Sequence, residues 1–364
     1  MNIAILAKRH SIHTTRWANT LAKRNHEVHL ISSTKQGPDL VAGVMYHPLP
    51  VPPPTGFFLN ARPLRRLLEQ LKPVVLNTHF ASGYGTLARL SGFHPNVLSV
   101  WGSDVYDFPD KSPIHRKLVC SNLRAADWVC STSHVMAQRT RQLYPISCLS
   151  VIPFGIDASL FSPQARESSA YLTIGTVKTL AHKYGVDLLI KAFAQLRAEL
   201  QLEQPDVATV LRLLVVGGGP DELSLKRLAR NLCVEDVTTF VGAVSHQEVP
   251  DYLNQLDIYA ALSRLDSESF GVAILEASAC ALPVVVSDVG GLPEVVKADE
   301  TGFVVFREDV DAAAAALKRL ALSAALRERM GEAGRRHVLS RYTWEQSVVQ
   351  LEKVYSDAVR MNRE

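Results

Sequence analysis

The sequence of 364 residues is poor in cysteine and contains no long hydrophobic run. Its five cysteines are an odd number and form no C-x-x-C pair, which argues against a disulfide framework or a zinc ribbon and fits a reducing compartment. The apolar run at residues 3–7 is too short for a signal peptide. No segment approaches the ~20 apolar residues of a membrane-spanning helix. We therefore expect a cytoplasmic protein that can still touch a membrane surface.

The composition is that of a globular enzyme, with 47% hydrophobic and 21% charged residues, and it excludes disorder, collagen and coiled coil. The length predicts two domains at about 150 residues each. The net charge of +3 conceals an asymmetry: residues 1–165 contain 17 Lys+Arg and 8 Asp+Glu, a net charge of +9, which leaves −6 for the remainder. Such a division indicates that the two halves meet different partners.

Short apolar runs alternate with segments of helical spacing through both halves of the chain. This alternation predicts parallel sheets with helices on both faces. A polar run around Pro163 interrupts the pattern at Phe161–Ala170, so the predicted domains are 1–163 and 164–344. A last helix is predicted near Trp344–Arg360. The predicted strands include Ile3–Ala7, Val28–Ser32, Val74–His79, Val97–Trp101, Leu172–Val177, Leu211–Val216, Ile258–Ala261, Val284–Ser287 and Gly302–Val305.

A turn followed by a helical pattern places two glutamates in the second half. Gly271 marks the turn, so Glu268 lies on the loop and Glu276 lies inside the helix. Eight helical residues span ~12 Å, about the distance from a ribose to the far side of a diphospho-sugar. Carboxylates accept hydrogen bonds from sugar hydroxyls, and the first amides of a helix bind sugar and phosphate oxygens. Here those amides belong to Phe270, Gly271 and Val272. An exposed helix with two solvated glutamates fits the same pattern.

A second pattern places two lysines directly after a predicted strand. The strand contains Gly175, and Lys178 and Lys183 follow in the loop. Open α/β sheets bind ligands at the carboxyl ends of their strands, and two cations there can hold a diphosphate as point charges. Two ordinary surface lysines are the alternative interpretation.

Three further patterns have simpler explanations. Gly217-Gly-Gly-Pro resembles a dinucleotide fingerprint, but Glu222 stands where a third glycine belongs; a glycine turn into a helix fits at least as well. Asp309-Val-Asp311 has the D-x-D form of a metal site, yet it precedes the helical run Ala312–Leu317 and is predicted to be a helix cap. No histidine pair has metal-ligand spacing on a convincing helix, and no G-x-S-x-G elbow is present.

Taken together, these stretches resemble the retaining nucleotide-sugar glycosyltransferases of family 4. The family's E-x7-E motif corresponds to Glu268–Glu276, and the lysine loop resembles its phosphate loop. The resemblance covers nearly the whole chain and implies the α/β GT-B fold: two Rossmann-like domains facing across a cleft, with a C-terminal helix, about 345–364, crossing back. Further stretches in the family's order are Asn77–Phe80, Trp101–Asp104, Ile152–Asp157 and Pro283–Glu294.

The resemblance implies that the second domain binds the nucleotide-sugar donor, with UDP as the expected nucleotide. Glu276 would hold the ribose hydroxyls, Lys178 and Lys183 would neutralise the diphosphate, and Glu268 would hold the sugar. No cofactor or metal is implied, because the lysines do the work of a divalent cation. The implied donor-binding residues are Gly175, Lys178, Lys183, Glu268, Phe270, Gly271, Val272 and Glu276.

The first domain would then bind the acceptor. Many family members have a histidine at the position of Trp101, and that histidine usually faces the donor sugar. His79 and His13 are the candidate replacements, although either fits a structural role. Asp104 is a catalytic candidate or a carboxylate that orders its loop, and Ser103 joins Trp101 and His13 on the acceptor side. The catalytic candidates are thus Glu268, Lys183, Lys178, Asp104 and His79.

The expected chemistry is departure of a nucleoside diphosphate from an anomeric carbon, with lysines and a helix N-terminus as counter-charges. From the resemblance, we expect a retaining hexosyltransferase acting on a glycan or lipid-linked acceptor in cell-surface polysaccharide or glycolipid synthesis, with no nucleic-acid partner. The alternatives are a sugar-nucleotide epimerase, a glycan phosphorylase, for which this chain is short, and a non-catalytic binding module for sugar nucleotides or glycans.

A basic, leucine-rich segment suggests peripheral contact with the inner face of the cytoplasmic membrane. Within Phe57–Lys72, the leucines at 64, 67, 68 and 71 recur at helical spacing and are bordered by Arg62, Arg65 and Arg66. An apolar stripe beside basic residues is typical of helices that lie on anionic membranes. The same leucines could instead face the core of the domain.

Overall fold

A computed structural model describes residues 1–34, 37–165 and 169–363, and the chain divides into two compact units. The first unit contains residues up to Pro153 and those from Glu345 onward, and the second is Phe154–Trp344. The boundary predicted after residue 163 lies later in the chain than this division. Residues 166–168 of the predicted linker lie outside the described residues.

The first unit is built on a seven-stranded sheet. All of its neighbouring pairs are parallel, so the carboxyl ends of the strands meet at one edge. The central strands are buried along almost their whole length, as expected for strands covered by helices on both faces, and the middle strand buries the polar side chains of Asn77, Thr78 and His79. The strands are β1 (Asn2–Leu6), β2 (Glu27–Ser32), β3 (Val44–Pro48), β4 (Val75–His79), β5 (Asn96–Val100), β6 (Trp128–Ser131) and β7 (Leu149–Val151). Their order is β3-β2-β1-β4-β5-β6-β7.

The edge strand β3 is absent from the sequence-based predictions. None of its five residues is fully buried, and Met45 is exposed, so it lacks the continuous apolar run that marks the inner strands. Its pairing with β2, from Val28–Val44 to Ser32–Pro48, defines it as a strand.

Helices of the first unit begin at serine caps in three places. The side chains of Ser11, Ser112 and Ser133 each accept a hydrogen bond from the backbone amide three residues later, which satisfies a first-turn donor. The helices are α1 (Ile12–Lys23), α2 (Gly56–Leu59), α3 (Ala61–Leu71), α4 (Gly83–Ser91), α5 (Pro113–Arg124) and α6 (His134–Leu143).

The predicted apolar stripe lies in the core of the first unit, which corrects its assignment as a membrane-facing surface. Leu64 and Leu68 of α3 are buried, and Leu67 and Leu71 pack against the same cluster. Arg65 is also engaged within the protein, because its guanidinium donates hydrogen bonds to the Leu90 and Ser91 carbonyl oxygens at the end of α4.

The second unit contains a six-stranded parallel sheet. Its strands are β8 (Leu172–Val177), β9 (Leu211–Val216), β10 (Thr238–Gly242), β11 (Ile258–Ala261), β12 (Val284–Ser287) and β13 (Gly302–Val305). The order is β10-β9-β8-β11-β12-β13. The reversal of strand order beside β8 is the topological position at which open α/β sheets bind ligands. The helices are α7 (Val186–Glu203), α8 (Pro205–Val210), α9 (Glu222–Asn231), α10 (Val249–Leu253), α11 (Val272–Ala279), α12 (Leu292–Val295), α13 (Val310–Ala321) and α14 (Ala324–Arg341).

The last helix, α15 (Trp344–Met361), packs with the first unit from Glu345 onward. Its predicted apolar face, which includes Val348, Leu351, Val354 and Tyr355, is buried. The Arg24 guanidinium donates two hydrogen bonds of 2.8 Å to the Glu352 carboxylate, so the helix is held by both apolar and charged contacts. Among the described residues, no helix is long and apolar enough to cross a membrane.

Candidate active site

The lysine loop begins where β8 ends and packs on the glycine turn that follows β9. The Lys178 amide donates to the Val216 carbonyl oxygen at 3.0 Å. A Cβ at Gly217 would overlap the Lys178 carbonyl oxygen, and a Cβ at Gly219 would overlap that of Leu180. The glycine run is therefore required for the close approach of the two loops.

Lys178 and Glu268 form an ion pair away from solvent. The Lys178 Nζ to Glu268 Oε1 distance is 2.7 Å, and the side chains are 9% and 10% exposed. Burial alone would lower the pKa of Lys178, but the Glu268 carboxylate, reinforced by Tyr259 and Tyr184, holds it above its ordinary value. Lys178 therefore remains a cation at the carboxyl end of β8.

Lys183 reaches the same loop by a different contact. Its Nζ donates to the Ser267 carbonyl oxygen at 2.7 Å, next to Glu268. The ring of Tyr184 lies near both cations, with its centroid 5.1 Å from the Lys178 Nζ and 5.4 Å from the Lys183 Nζ. Both predicted lysines thus converge on the loop that bears Glu268.

Two glycines in the loop that follows β12 support this loop. The Gly291 amide donates to the Glu268 carbonyl oxygen at 3.0 Å, and a Cβ at Gly290 or Gly291 would overlap the loop backbone. α11 then begins at Val272, with Gly271 as its N-cap at φ +88°. The loop and the start of the helix are therefore held in place by backbone contacts, which suits a site that binds ligand oxygens at a helix N-terminus.

Phe270 and Gly175 contribute in ways that the sequence did not indicate. The Phe270 ring is buried and meets Tyr342 edge-on at 5.7 Å, so its side chain belongs to the core and its backbone remains as the candidate contact. Gly175 lies inside β8, and a Cβ there would come within 2.5 Å of a Leu256 methyl carbon. Close packing inside the second unit therefore accounts for a glycine at position 175.

Glu276 has a partner that sequence reasoning missed. The Glu276 Oε1 lies 2.9 Å from the His246 Nε2, and the His246 ring meets Phe161 edge-on at 5.4 Å. His246 follows β10, whose carboxyl end lies at the same sheet edge as that of β8 because both strands are parallel to β9. Its position after the strand that the sequence predicts at Thr239–Val241 was the available signal.

In the first unit, Asp104 orders its own loop. Its carboxylate accepts hydrogen bonds from the amides of Ala81 at 2.7 Å, Gly102 at 2.9 Å and Trp101 at 3.1 Å. Burial raises the pKa of Asp104, although these amides oppose the shift. The geometry favours the loop-ordering role, and Ser103 in the same loop is exposed.

His79 is buried at the carboxyl end of β4, and both ring nitrogens bind within the protein. The Nε2 lies 3.1 Å from Asn77 Oδ1 and the Nδ1 lies 3.1 Å from Thr14 Oγ1, while the residue is 1% exposed. Burial, with a contribution from His13, lowers the pKa of His79 to about 3. Trp101 packs on its ring at 4.3 Å, and His13 meets Trp101 edge-on at 6.1 Å. This geometry favours the structural role for His79: both ring nitrogens are engaged, and the neutral imidazole packs against the Trp101 ring.

The D-x-D sequence is confirmed as a helix cap. The Asp309 side chain accepts a hydrogen bond from the Ala312 amide at 2.8 Å at the start of α13. Within the described ranges, no group of three or more His, Cys, Asp or Glu side chains is arranged to hold a metal ion.

Comparisons with known proteins identify the family of this chain. Residues 2–133 match the family described as Glycosyl transferase 4-like, and residues 160–337 match Glycosyl transferases group 1. A GDP-mannose-dependent alpha-(1-6)-phosphatidylinositol monomannoside mannosyltransferase of Mycolicibacterium smegmatis is 32% identical over 71% of this chain and 69% of its own. N-acetyl-alpha-D-glucosaminyl L-malate synthase of Bacillus anthracis is 26% identical over 95% of this chain and 93% of its own.

Among solved structures, HepE of Anabaena in complex with UDP superimposes with a TM-score of 0.80 over 98% of this chain and 100% of its own, at 16% identity. The two parallel-sheet units thus define the GT-B fold, and the protein is a glycosyltransferase. The chain belongs to glycosyltransferase family 4.

Proposed function

We propose that this enzyme is a retaining hexosyltransferase that moves a sugar from a nucleoside diphosphate sugar to a glycan or lipid-linked acceptor. The observation that supports this most directly is the convergence of Lys178 and Lys183 on the loop of Glu268, at the carboxyl edge of the second sheet. Two cations, a carboxylate and a helix start within one loop cluster match the charges and hydroxyls of such a donor.

In the proposed step, the bond between the anomeric carbon and the leaving phosphate oxygen breaks. The acceptor hydroxyl forms the new glycosidic bond on the same face of the sugar, and its proton passes to a phosphate oxygen of the leaving group. Negative charge grows on the diphosphate, where Lys178, Lys183 and the N-terminus of α11 would stabilise it. Glu268 would accept hydrogen bonds from the sugar and Glu276 from the ribose.

We propose that this neutralisation needs no divalent metal. The expected result is full activity after treatment with EDTA and dialysis. Restoration of lost activity by Mg²⁺ or Mn²⁺ would contradict this part of the proposal.

UDP is the nucleotide we propose, and GDP is the competing candidate. The solved structure of Anabaena HepE is a complex with UDP, whereas the Mycolicibacterium smegmatis relative is named as dependent on GDP-mannose. Thermal-shift measurements with UDP, GDP, ADP and their sugars would distinguish them. A larger stabilisation by GDP than by UDP would indicate that the donor carries guanine instead of uracil.

A turnover assay tests the activity as a whole. The donor is the nucleotide sugar that gives the largest thermal shift. Release of nucleoside diphosphate from it is measured with and without glycan and lipid-linked acceptors. We expect release that depends on the acceptor, together with a glycosylated product of retained anomeric configuration. Conversion of the donor without acceptor would indicate an epimerase, and tight binding without turnover would indicate a binding module.

We also propose that the first unit contacts an anionic membrane, in keeping with the phosphatidylinositol monomannoside in the name of the Mycolicibacterium smegmatis relative. With the leucines of α3 in the core, the exposed apolar side chains nearby are Phe58 and Leu59, which are 55% and 64% exposed. Arg62 and Arg66, one turn or two turns further on, are exposed as well. Each basic residue near such a surface contributes about 1 kcal/mol.

Liposome co-sedimentation tests this contact. Binding to anionic but not neutral vesicles is expected, and it should weaken in high salt and in Phe58→Ser/Leu59→Ser or Arg62→Glu/Arg66→Glu. Arg329→Glu/Arg336→Glu in α14 makes the same charge change in the second unit and serves as the control. Absence of binding at low ionic strength would assign the basic charge to a soluble anionic acceptor instead.

A further inference from the structure

Arg264 is almost fully occupied by contacts with two neighbouring segments. Its side chain is 8% exposed. The Nη1 and Nη2 atoms donate to the two carboxylate oxygens of Asp187 at 2.6 and 2.7 Å. The Nη1 also donates to the His182 carbonyl oxygen at 3.1 Å, and the Nε donates to Glu308 Oε1 at 3.0 Å. Such a planar fork is a geometry that lysine cannot reproduce.

These contacts join the lysine loop to the loop of Glu268. Asp187 lies in the first turn of α7 and His182 lies in the short 3-10 turn His182–Tyr184, so the guanidinium holds both sides of Lys183. The Arg264 amide donates to the Lys183 carbonyl oxygen at 2.8 Å. Glu268 follows Arg264 by four residues in the same loop.

The backbone around Arg264 is packed too closely to shift without cost. Gly185 caps α7 at φ +60°, and a Cβ there would overlap the Leu262 carbonyl oxygen. The two loops therefore meet at Gly185 and Leu262, at Lys183 and Arg264, and at the ion pair of Lys178 with Glu268.

We infer that Arg264 is a positioning residue that sets the place of Lys183 relative to Glu268 and thereby governs recognition of the donor's diphosphate. This inference rests on the proposed function. Arg264 itself does not contact the ligand in this assignment, because its hydrogen bonds are directed to Asp187, His182 and Glu308. Its effect is transmitted through the position of the lysine loop.

The inference makes a prediction that a merely structural role does not. If Arg264 acts through Lys183, its replacement weakens binding to the second phosphate while leaving contacts to the ribose intact. The ratio of affinities for a nucleoside diphosphate and the corresponding monophosphate therefore reports on the position of the lysine. General loosening of the unit would lower both affinities together.

The experiment compares Arg264→Lys with wild type by calorimetric titration of UDP, UMP, GDP and GMP. Arg230→Lys is the matched control, because Arg230 makes an equally bidentate contact with Glu235 at 2.9 Å on the exposed surface. Asp187→Asn provides a second perturbation of the same contact if Arg264→Lys does not fold. Circular dichroism verifies the fold of each variant.

In Arg264→Lys we expect diphosphate affinity to fall at least about tenfold and monophosphate affinity to change by less than about twofold, since a bidentate site does not tolerate lysine. Asp187→Asn should shift the ratio in the same direction, and Arg230→Lys should leave it unchanged. Equal losses for both nucleotides, or no loss in a folded variant, would overturn the inference. A wild-type protein that binds no nucleoside diphosphate would instead overturn the proposed function on which it rests.

Discussion

Replacement of Lys178 by methionine tests the buried ion pair and the donor site together. At an N–O distance of 2.7 Å and an effective dielectric constant of ~20, the attraction is about 6 kcal/mol. Desolvation of two buried ions costs several kcal/mol each, so the intact pair contributes little net stability. Removing one member is different, because it leaves a buried carboxylate without its cation.

The cost of that unpaired carboxylate has an upper bound. An unpaired carboxylate can be neutralised by a proton instead, and protonating a free glutamate side chain at pH 7 costs about 3.7 kcal/mol. We therefore expect Lys178→Met to lower the free energy of unfolding by about 2–4 kcal/mol. Lys178→Met/Glu268→Gln, which removes both charges, should recover most of this loss. Urea unfolding followed by circular dichroism, fitted with separate transitions for the two units, measures these values.

A matched control separates burial from the presence of an ion pair. Lys226 and Glu222 on α9 are also 2.7 Å apart, but they are 43% and 32% exposed. Lys226→Met should cost less than about 0.5 kcal/mol. An unfolding free energy for Lys178→Met as close to wild type as that of Lys226→Met would refute the burial argument.

Activity provides the second measurement on these variants. Lys178→Met and Lys183→Met should each lose at least about 2 kcal/mol of transition-state stabilisation, which is about 30-fold in kcat/KM. Lys183 donates to a backbone carbonyl and is only partly buried, so its replacement should reduce turnover with less loss of stability. Wild-type turnover by Lys183→Met would refute the assignment of the lysines to the diphosphate.

Three further predictions concern the two units separately. The Arg24 guanidinium lowers the pKa of Glu352 below its ordinary value of 4.5, so this contact stabilises the fold above pH 4.5 and its contribution is lost as the pH falls through the folded-state pKa. Urea unfolding should show that Glu352→Gln costs about 1 kcal/mol at pH 7 and progressively less as the pH is lowered below 4.5. His79 has a pKa of about 3 in the folded protein against 6.5 when unfolded, so between these values the unfolded state binds more protons. The free energy of unfolding therefore falls by up to ~1.4 kcal/mol for each pH unit below 6.5. His79→Gln should show a weaker dependence of this free energy on pH, and an unchanged dependence would contradict the burial of the imidazole. Gly271→Ala should destabilise the second unit by about 1–2 kcal/mol or more, because its φ is +88° and a Cβ would meet a neighbouring methyl carbon at 2.8 Å. Gly242→Ala, at φ +90° with open space around it, is the control, and equal melting temperatures for the two variants would show that the steric contact is unimportant.

Much of the second unit follows from local sequence alone. The strands β8, β9, β11, β12 and β13 are short, largely apolar runs, and their observed bounds match the predicted ones. Alternation with helices then implies parallel pairing, which brings the loop after β8 and the loop before α11 to one edge. Lys178, Lys183, Glu268 and Glu276 could be selected as a group for that reason.

Side chains whose role depends on a partner far away along the chain could not be predicted in this way. His246 acquires significance from Glu276, 30 residues later, and Arg264 from Asp187, 77 residues earlier. Neither has a local sequence pattern that identifies its partner. The sequence context of His79 likewise fits a catalytic or a structural histidine, and only its contacts within the fold show that both ring nitrogens are engaged.

The leucines of α3 show most clearly what local sequence determines and what tertiary packing decides. Their spacing by itself determined an amphipathic helix, because that spacing repeats with the helical period. It did not determine what the apolar face contacts, since a membrane and a sheet bury the same hydrocarbon surface with the same gain in free energy. Packing of Leu64 and Leu68 against the first sheet decided the question. Sequence periodicity therefore determined the elements and the loop edge that bears the candidate site, and the tertiary structure decided which face of each element is buried, because burial depends on residues far away along the chain.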